Sequence, residues 1–268
     1  MTPTGWLFRD GQRLVVHDSG DGPPILLQHG LCGDASQTAE ACSPAHRRIT
    51  LECRGHGQSD PDGPFSIETF TTDIIALLEL LPSPVPVGGI SMGAAIATRI
   101  AVLRPDLVSA LILIRPAWTV ENAPDNMAPN AEVGRLLARL PAADARATFA
   151  TSLTAQRLAT EAPDNLASLM GFFSRPQPST AALLQAISAD GPGISEIDLS
   201  ALRCPALICG TEEDAIHPYA HAADLARMIP GARLVKLPAK GRDKSAHLAA
   251  LHSAMAKFLK ENDSATPQ

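Results

Sequence analysis

The stretch Gly88-Gly89-Ile90-Ser91-Met92-Gly93 decides the reading of this chain. It follows the short apolar run Val85-Pro86-Val87, which suits the end of a buried strand. It leads into Ala94-Ala95-Ile96-Ala97-Thr98-Arg99-Ile100-Ala101, which suits a helix. A serine on a sharp strand-to-helix turn has a strained backbone, and side chains two residues before or after it would strike neighbouring elements. Gly89 and Gly93 remove those clashes, so Ser91 is a candidate nucleophile.

The wider pattern agrees with a strand-helix alternation. Apolar runs at Arg13 to Val16, Ile25 to Gln28, Ile49 to Glu52, Val85 to Val87, Ser109 to Ile114, Ala206 to Cys209 and Leu234 to Leu237 read as strands. Most are apolar throughout, as expected when both faces of a sheet are covered. Between them lie helical patterns such as Ser66 to Leu81, where Ile67, Phe70, Ile74, Leu77, Leu78 and Leu81 share a face and Ser66 is placed to cap. The expected fold class is α/β: a mostly parallel sheet with helices on both faces. The rhythm stops after Trp118. Residues 119–199 hold Pro-bounded helical pieces, including Ala131 to Leu140, Ala142 to Leu158 and Thr180 to Ile187, and no convincing strand. They read as a helical lid inserted into a core made of 1–118 and 200–262.

Composition narrows the function. The 268 residues suit one large α/β domain. With 28 acidic and 22 basic residues and no basic block, nucleic acid and an anionic membrane are poor partners. The five cysteines, at 32, 42, 53, 204 and 209, lack metal-ligand spacing and fit a reduced cytoplasm. No apolar run reaches the roughly 20 residues of a membrane span. No metal or organic cofactor is expected, and oligomeric state is not encoded legibly.

Four segments together resemble the α/β-hydrolase family, over about 1–118 and 200–260. The first is Pro24-Ile25-Leu26-Leu27-Gln28-His29-Gly30-Leu31-Cys32-Gly33, similar to the family's strand ending in His-Gly. The second is Arg54-Gly55-His56-Gly57-Gln58-Ser59, and the third is the turn around Ser91. The fourth runs from Pro205-Ala206-Leu207-Ile208-Cys209-Gly210 through Asp214-Ala215-Ile216-His217-Pro218 to Ala232-Arg233-Leu234-Val235. The resemblance implies an acyl-enzyme on Ser91, with Asp214 as the acid and backbone N–H groups of Leu31 and Met92 as the oxyanion hole. A serine hydroxyl needs a base to take its proton and a carboxylate to orient that base. The family's usual histidine position after the last strand holds Arg242, following Gly241, and an arginine stays protonated. His247, a few residues on, is therefore the expected base, with His217 and His221 as alternatives. His29 and His56 read as shapers of the backbone around them. Cys32, Trp118, Met170, Phe172 and Phe173 are candidates for the substrate pocket.

These readings imply a hydrolase of a small carboxylic ester or lactone. Alternatives are a carbon–carbon bond hydrolase of a diketone-like compound and a non-catalytic small-molecule binder on the same fold.

Overall fold

The computed structural model describes residues 4–82 and 84–263. Its strands are β1 (Gly5–Arg9), β2 (Gln12–Ser19), β3 (Pro24–Gln28), β4 (Arg47–Leu51), β5 (Val85–Ile90), β6 (Val108–Ile114), β7 (Ala206–Thr211) and β8 (Arg233–Leu237). They form one sheet in the order β1-β2-β4-β3-β5-β6-β7-β8. The first two ladders are antiparallel and the rest are parallel. All seven expected strands are present. The eighth, β1, carries the exposed Trp6 and Phe8 on an edge and so lacks the continuous apolar run that marks buried strands.

Side chains alternate across the sheet. From β3, Leu26 enters a cluster with α2 (Ile67–Leu78) and α3 (Met92–Leu103), while Ile25 and Leu27 face α1 (Ala35–Ala41) and α11 (Lys244–Asp263). Ser66 caps α2 as expected, its Oγ accepting from Thr69 N at 3.0 Å. Helix α10 (Tyr219–Met228) links β7 to β8.

Between β6 and β7 stand α4 (Ala128–Arg139), α5 (Ala142–Ala150), α6 (Leu153–Glu161), α7 (Pro163–Phe172), α8 (Gln177–Ser188) and α9 (Glu196–Ala201), with no strand among the described residues. The expected piece Ala142 to Leu158 is two helices, because Ser152 starts α6 by accepting from Ala155 N at 3.1 Å. Val133, Phe149, Leu158 and Leu169 of this insertion are buried in the same apolar cluster as Leu26 and Leu111 of the sheet. The insertion and the sheet thus share one core.

Candidate active site

The strand-to-helix turn carries Ser91 at φ 56°, ψ −111°. A side chain rarely holds this conformation unless its surroundings impose it. Here Ser91 N donates to Ile114 O at 3.0 Å, and its carbonyl accepts from Ala94 N and Ala95 N of α3. The two glycines are sterically required. A Cβ on Gly89 would lie 2.1 Å from the Gly93 carbonyl, and one on Gly93 would lie 2.3 Å from Gln28 O.

Opposite Ser91 is the turn after β3. Gly30 N donates to Gln37 Oε1, Cys32 N to His56 Nε2 and Gly33 N to Gly30 O. Because His56 Nε2 accepts, its proton is on Nδ1, which donates to Arg54 O at 2.9 Å. His29 is held the same way, Nδ1 donating to Gly30 O and Nε2 accepting from Cys53 N. Burial lowers both pKa values, so both rings are neutral struts between loops. Among the described residues, the N–H groups of Leu31 and Met92 enter none of these turn bonds, whereas that of Ser91 is held by Ile114 O.

One loop after β7 brings a carboxylate and an imidazole to Ser91. His217 Nε2 lies 2.9 Å from Ser91 Oγ, and His217 Nδ1 lies 2.8 Å from Asp214 Oδ1. The i, i+3 spacing lets the backbone N of His217 donate to the same oxygen at 3.0 Å. Asp214, its side chain 3% exposed, also accepts from Asn165 Nδ2 at 3.0 Å and from Arg115 Nε at 2.8 Å. Burial alone would raise its pKa. The neighbouring His217 and Arg115 charges and their hydrogen bonds outweigh that and hold the carboxyl well below the usual range. Burial lowers the pKa of His217, Asp214 pulls it up, and Arg115 and Lys240 push it down. The net direction is downward, which leaves a neutral imidazole at neutral pH. With Asp214 ionised, Nδ1–H donates to the carboxylate and the Nε2 lone pair faces the serine hydroxyl.

His247 does not meet Ser91. It is buried on the first turns of α11, with Nδ1 donating to Pro238 O at 2.9 Å. Arg242, at the family's usual histidine position, is exposed and donates to Glu213 Oε2 at 2.8 Å. The imidazole beside Ser91 is thus His217 and not the expected His247. The first turns of α11 carry His247 inward, and the loop before them carries Arg242 outward. His221 is spent on Ala117 O at 3.1 Å.

A cavity of about 350 Å³ opens on Ser91 and His217. Leu31 and Phe172 line it, but four of the expected pocket residues do not. Trp118 is buried in the core and donates from Nε1 to Asp190 O, Phe173 packs on Phe149, Met170 packs against the main core, and Cys32 faces a neighbouring depression. Sequence reasoning missed Asn165, whose Oδ1 accepts from Ala215 N at 2.6 Å, and Arg115, at φ 47°. Asn165 has no local signal, since it reaches the acid loop from α7. Arg115 was legible only as a missing carboxylate after β6.

The chain belongs to the alpha/beta hydrolase fold family, whose sequence profile matches residues 23–243. "Putative non-heme bromoperoxidase BpoC" of Mycobacterium tuberculosis is 28% identical over 263 residues, covering 92% of this chain and 97% of that protein. The pimeloyl-[acyl-carrier protein] methyl ester esterase of Chromobacterium violaceum is 28% identical over 236 residues, covering 84% and 89%. Among solved structures, the enol-lactonase of Burkholderia xenovorans superposes with a TM-score of 0.73 at 26% identity, covering 96% of this chain and all of that one. Membership and these relatives support a hydrolase acting on small substrates. No described helix is long and apolar enough to cross a membrane.

Proposed function

We propose that this chain is a serine hydrolase of small carboxylic esters or lactones, working through an acyl-enzyme on Ser91. The observation that carries the reading is the relay from Ser91 Oγ to His217 Nε2 and from His217 Nδ1 to Asp214, at 2.9 and 2.8 Å, at the floor of a cavity. The names of the esterase and the enol-lactonase agree with it.

In this reading His217 takes the serine proton as Oγ attacks the substrate carbonyl, and Asp214 stabilises the imidazolium without taking its proton. The oxyanion is received by the N–H groups of Leu31 and Met92, the latter at the N-terminal end of α3. Collapse of the tetrahedral adduct breaks the ester bond, and His217 gives its proton to the leaving alkoxide. Water then repeats the sequence on the acyl-enzyme, losing a proton to His217, and frees Ser91 and the acid. Arg115 keeps Asp214 ionised, while Asn165 holds the loop that carries both groups. The helical insertion acts as a lid over this site, contributing Phe172 to its lining.

The test is covalent labelling. A fluorophosphonate should add once to the protein, at Ser91, and p-nitrophenyl acetate should be hydrolysed. Both should vanish in Ser91→Ala. A chain that binds ester analogues tightly but neither labels nor turns over would instead be the non-catalytic binder.

A further inference from the structure

Every ionisable side chain lining the cavity is basic: Arg115, Arg175, His217 and Lys240. This stands out in a chain of net charge −6. Two of the cations are already balanced, Arg115 by Asp214 and Lys240 by Asp164 at 3.2 Å. Arg175 is not. Among the described residues it has no carboxylate within ion-pair distance, and its guanidinium sits over the Phe172 ring at 5.9 Å. The nearby Asp34 has its Oδ1 engaged by both the backbone N and the Oγ of Ser36.

A second, independent observation lies across the same cavity. Asn130, on α4, is 4% exposed and its Oδ1 has no hydrogen-bond partner. A buried carboxamide left unpaired is costly unless a ligand or water completes it. Its Nδ2 can donate to a bound carboxylate, while the open Oδ1 accepts from a hydroxyl, an amide N–H or water.

We infer that the cavity takes substrates whose acyl group carries a carboxylate, with Arg175 as its counter-ion and Asn130 as a hydrogen-bonding partner within the same acyl pocket. The placement on the acyl side follows from the proton path. The leaving oxygen has to receive its proton from His217, so the leaving group lies on that side of Ser91. Arg175 also lines the neighbouring depression with Cys32, Asp34 and His56, around the oxyanion turn. An anion there meets an unpaired guanidinium with its bidentate donors. The inference rests on the serine-hydrolase reading for its chemistry, but not for its binding.

The experiment compares phenyl hydrogen glutarate with phenyl pentanoate, which replaces the distal carboxylate by a methyl group. The ratio of their kcat/KM values should favour the half-ester by on the order of tenfold. In Arg175→Gln this ratio should fall to near one, with partial recovery in Arg175→Lys. Asn130→Leu should raise KM for the half-ester. In parallel, calorimetry measures glutarate binding to the wild-type chain and to Arg175→Gln, a readout independent of turnover. If neither ester is cleaved while glutarate binds in an Arg175-dependent way, the hydrolase reading fails and the anion site stands. If the neutral ester is preferred, or the ratio is the same in Arg175→Gln, and glutarate does not bind, the anion site is overturned and the hydrolase reading is untouched.

Discussion

The loops after β7 and after β8 carry the same kinds of side chain to opposite ends. The β7 loop holds Asp214 and His217 three residues apart, and both ring nitrogens of that histidine are engaged, one by the acid and one by Ser91. The β8 loop leads into His247, whose ring is tied to a backbone carbonyl, and displays Arg242 to solvent. A triad is a set of positions in space, and the loop that delivers an imidazole to the serine is a secondary matter. In the proposed mechanism one loop supplies both acid and base, which frees the other for packing and surface charge.

The sharpest way to break this comparison is to remove each histidine in turn. His217→Ala should lower kcat by at least about a thousandfold, with little further loss when combined with Ser91→Ala, because the two act as a unit. His247→Ala should leave kcat within about threefold while costing on the order of 1–3 kcal/mol of stability, through the lost bond to Pro238 and the gap left under α11. Steady-state kinetics with thermal unfolding separates the two. The reverse pattern would restore His247 as base.

A second test asks what holds the β7 loop in place. Asn165 bonds Asp214 with its amide group and Ala215 with its carbonyl, and it belongs to the insertion. Asn165→Ala should lower kcat up to about a hundredfold by loosening the loop, since small displacements of reacting groups are expensive. Asn165→Asp should be worse, because it sets a like charge beside Asp214. Equal, small losses in both variants would mean that the loop holds its own shape.

The contrast also shows how far the chain was legible. The strands and the glycine spacing around Ser91 were readable because they reflect local periodicity and steric need, and the order of the four segments was readable through the family resemblance. Asp214 was readable as a carboxylate at a fixed place after a strand. His217 was present in Asp214-Ala215-Ile216-His217, but its orientation depends on Asn165 from α7 and Arg115 from β6, which no local pattern couples to it. Trp118 and Phe173 look like pocket aromatics in sequence, yet the insertion shares the sheet's core and consumes them there. The pocket instead combines apolar side chains such as Leu31, Leu169, Phe172 and Ile216 with polar and basic groups whose convergence is tertiary.

The third test is pH dependence. The proposed mechanism requires neutral His217, and burial, with Arg115 and Lys240 adding to it, lowers that pKa. The acidic limb of kcat/KM should therefore lie below the ordinary histidine value of about 6.5. In Arg115→Met one opposing cation is gone while the Asp214 charge remains, so the imidazolium is easier to form and the limb should move to higher pH. A limb that stays put would mean that Arg115 acts on position alone.

The smallest effect belongs to Arg242. Its ion pair with Glu213 is on the surface, where such pairs contribute roughly 0–1 kcal/mol. Arg242→Ala should change kcat/KM by less than about twofold and barely move thermal unfolding. The informative variant is Arg242→His in the His217→Ala background, which returns a histidine to the family's usual position. Because the side chain at 242 faces solvent rather than Ser91, activity should not return. Rescue of even about tenfold would show that the β8 loop can swing its residue 242 toward the serine, and the division of labour between the two loops would then be a matter of side chains rather than of backbone.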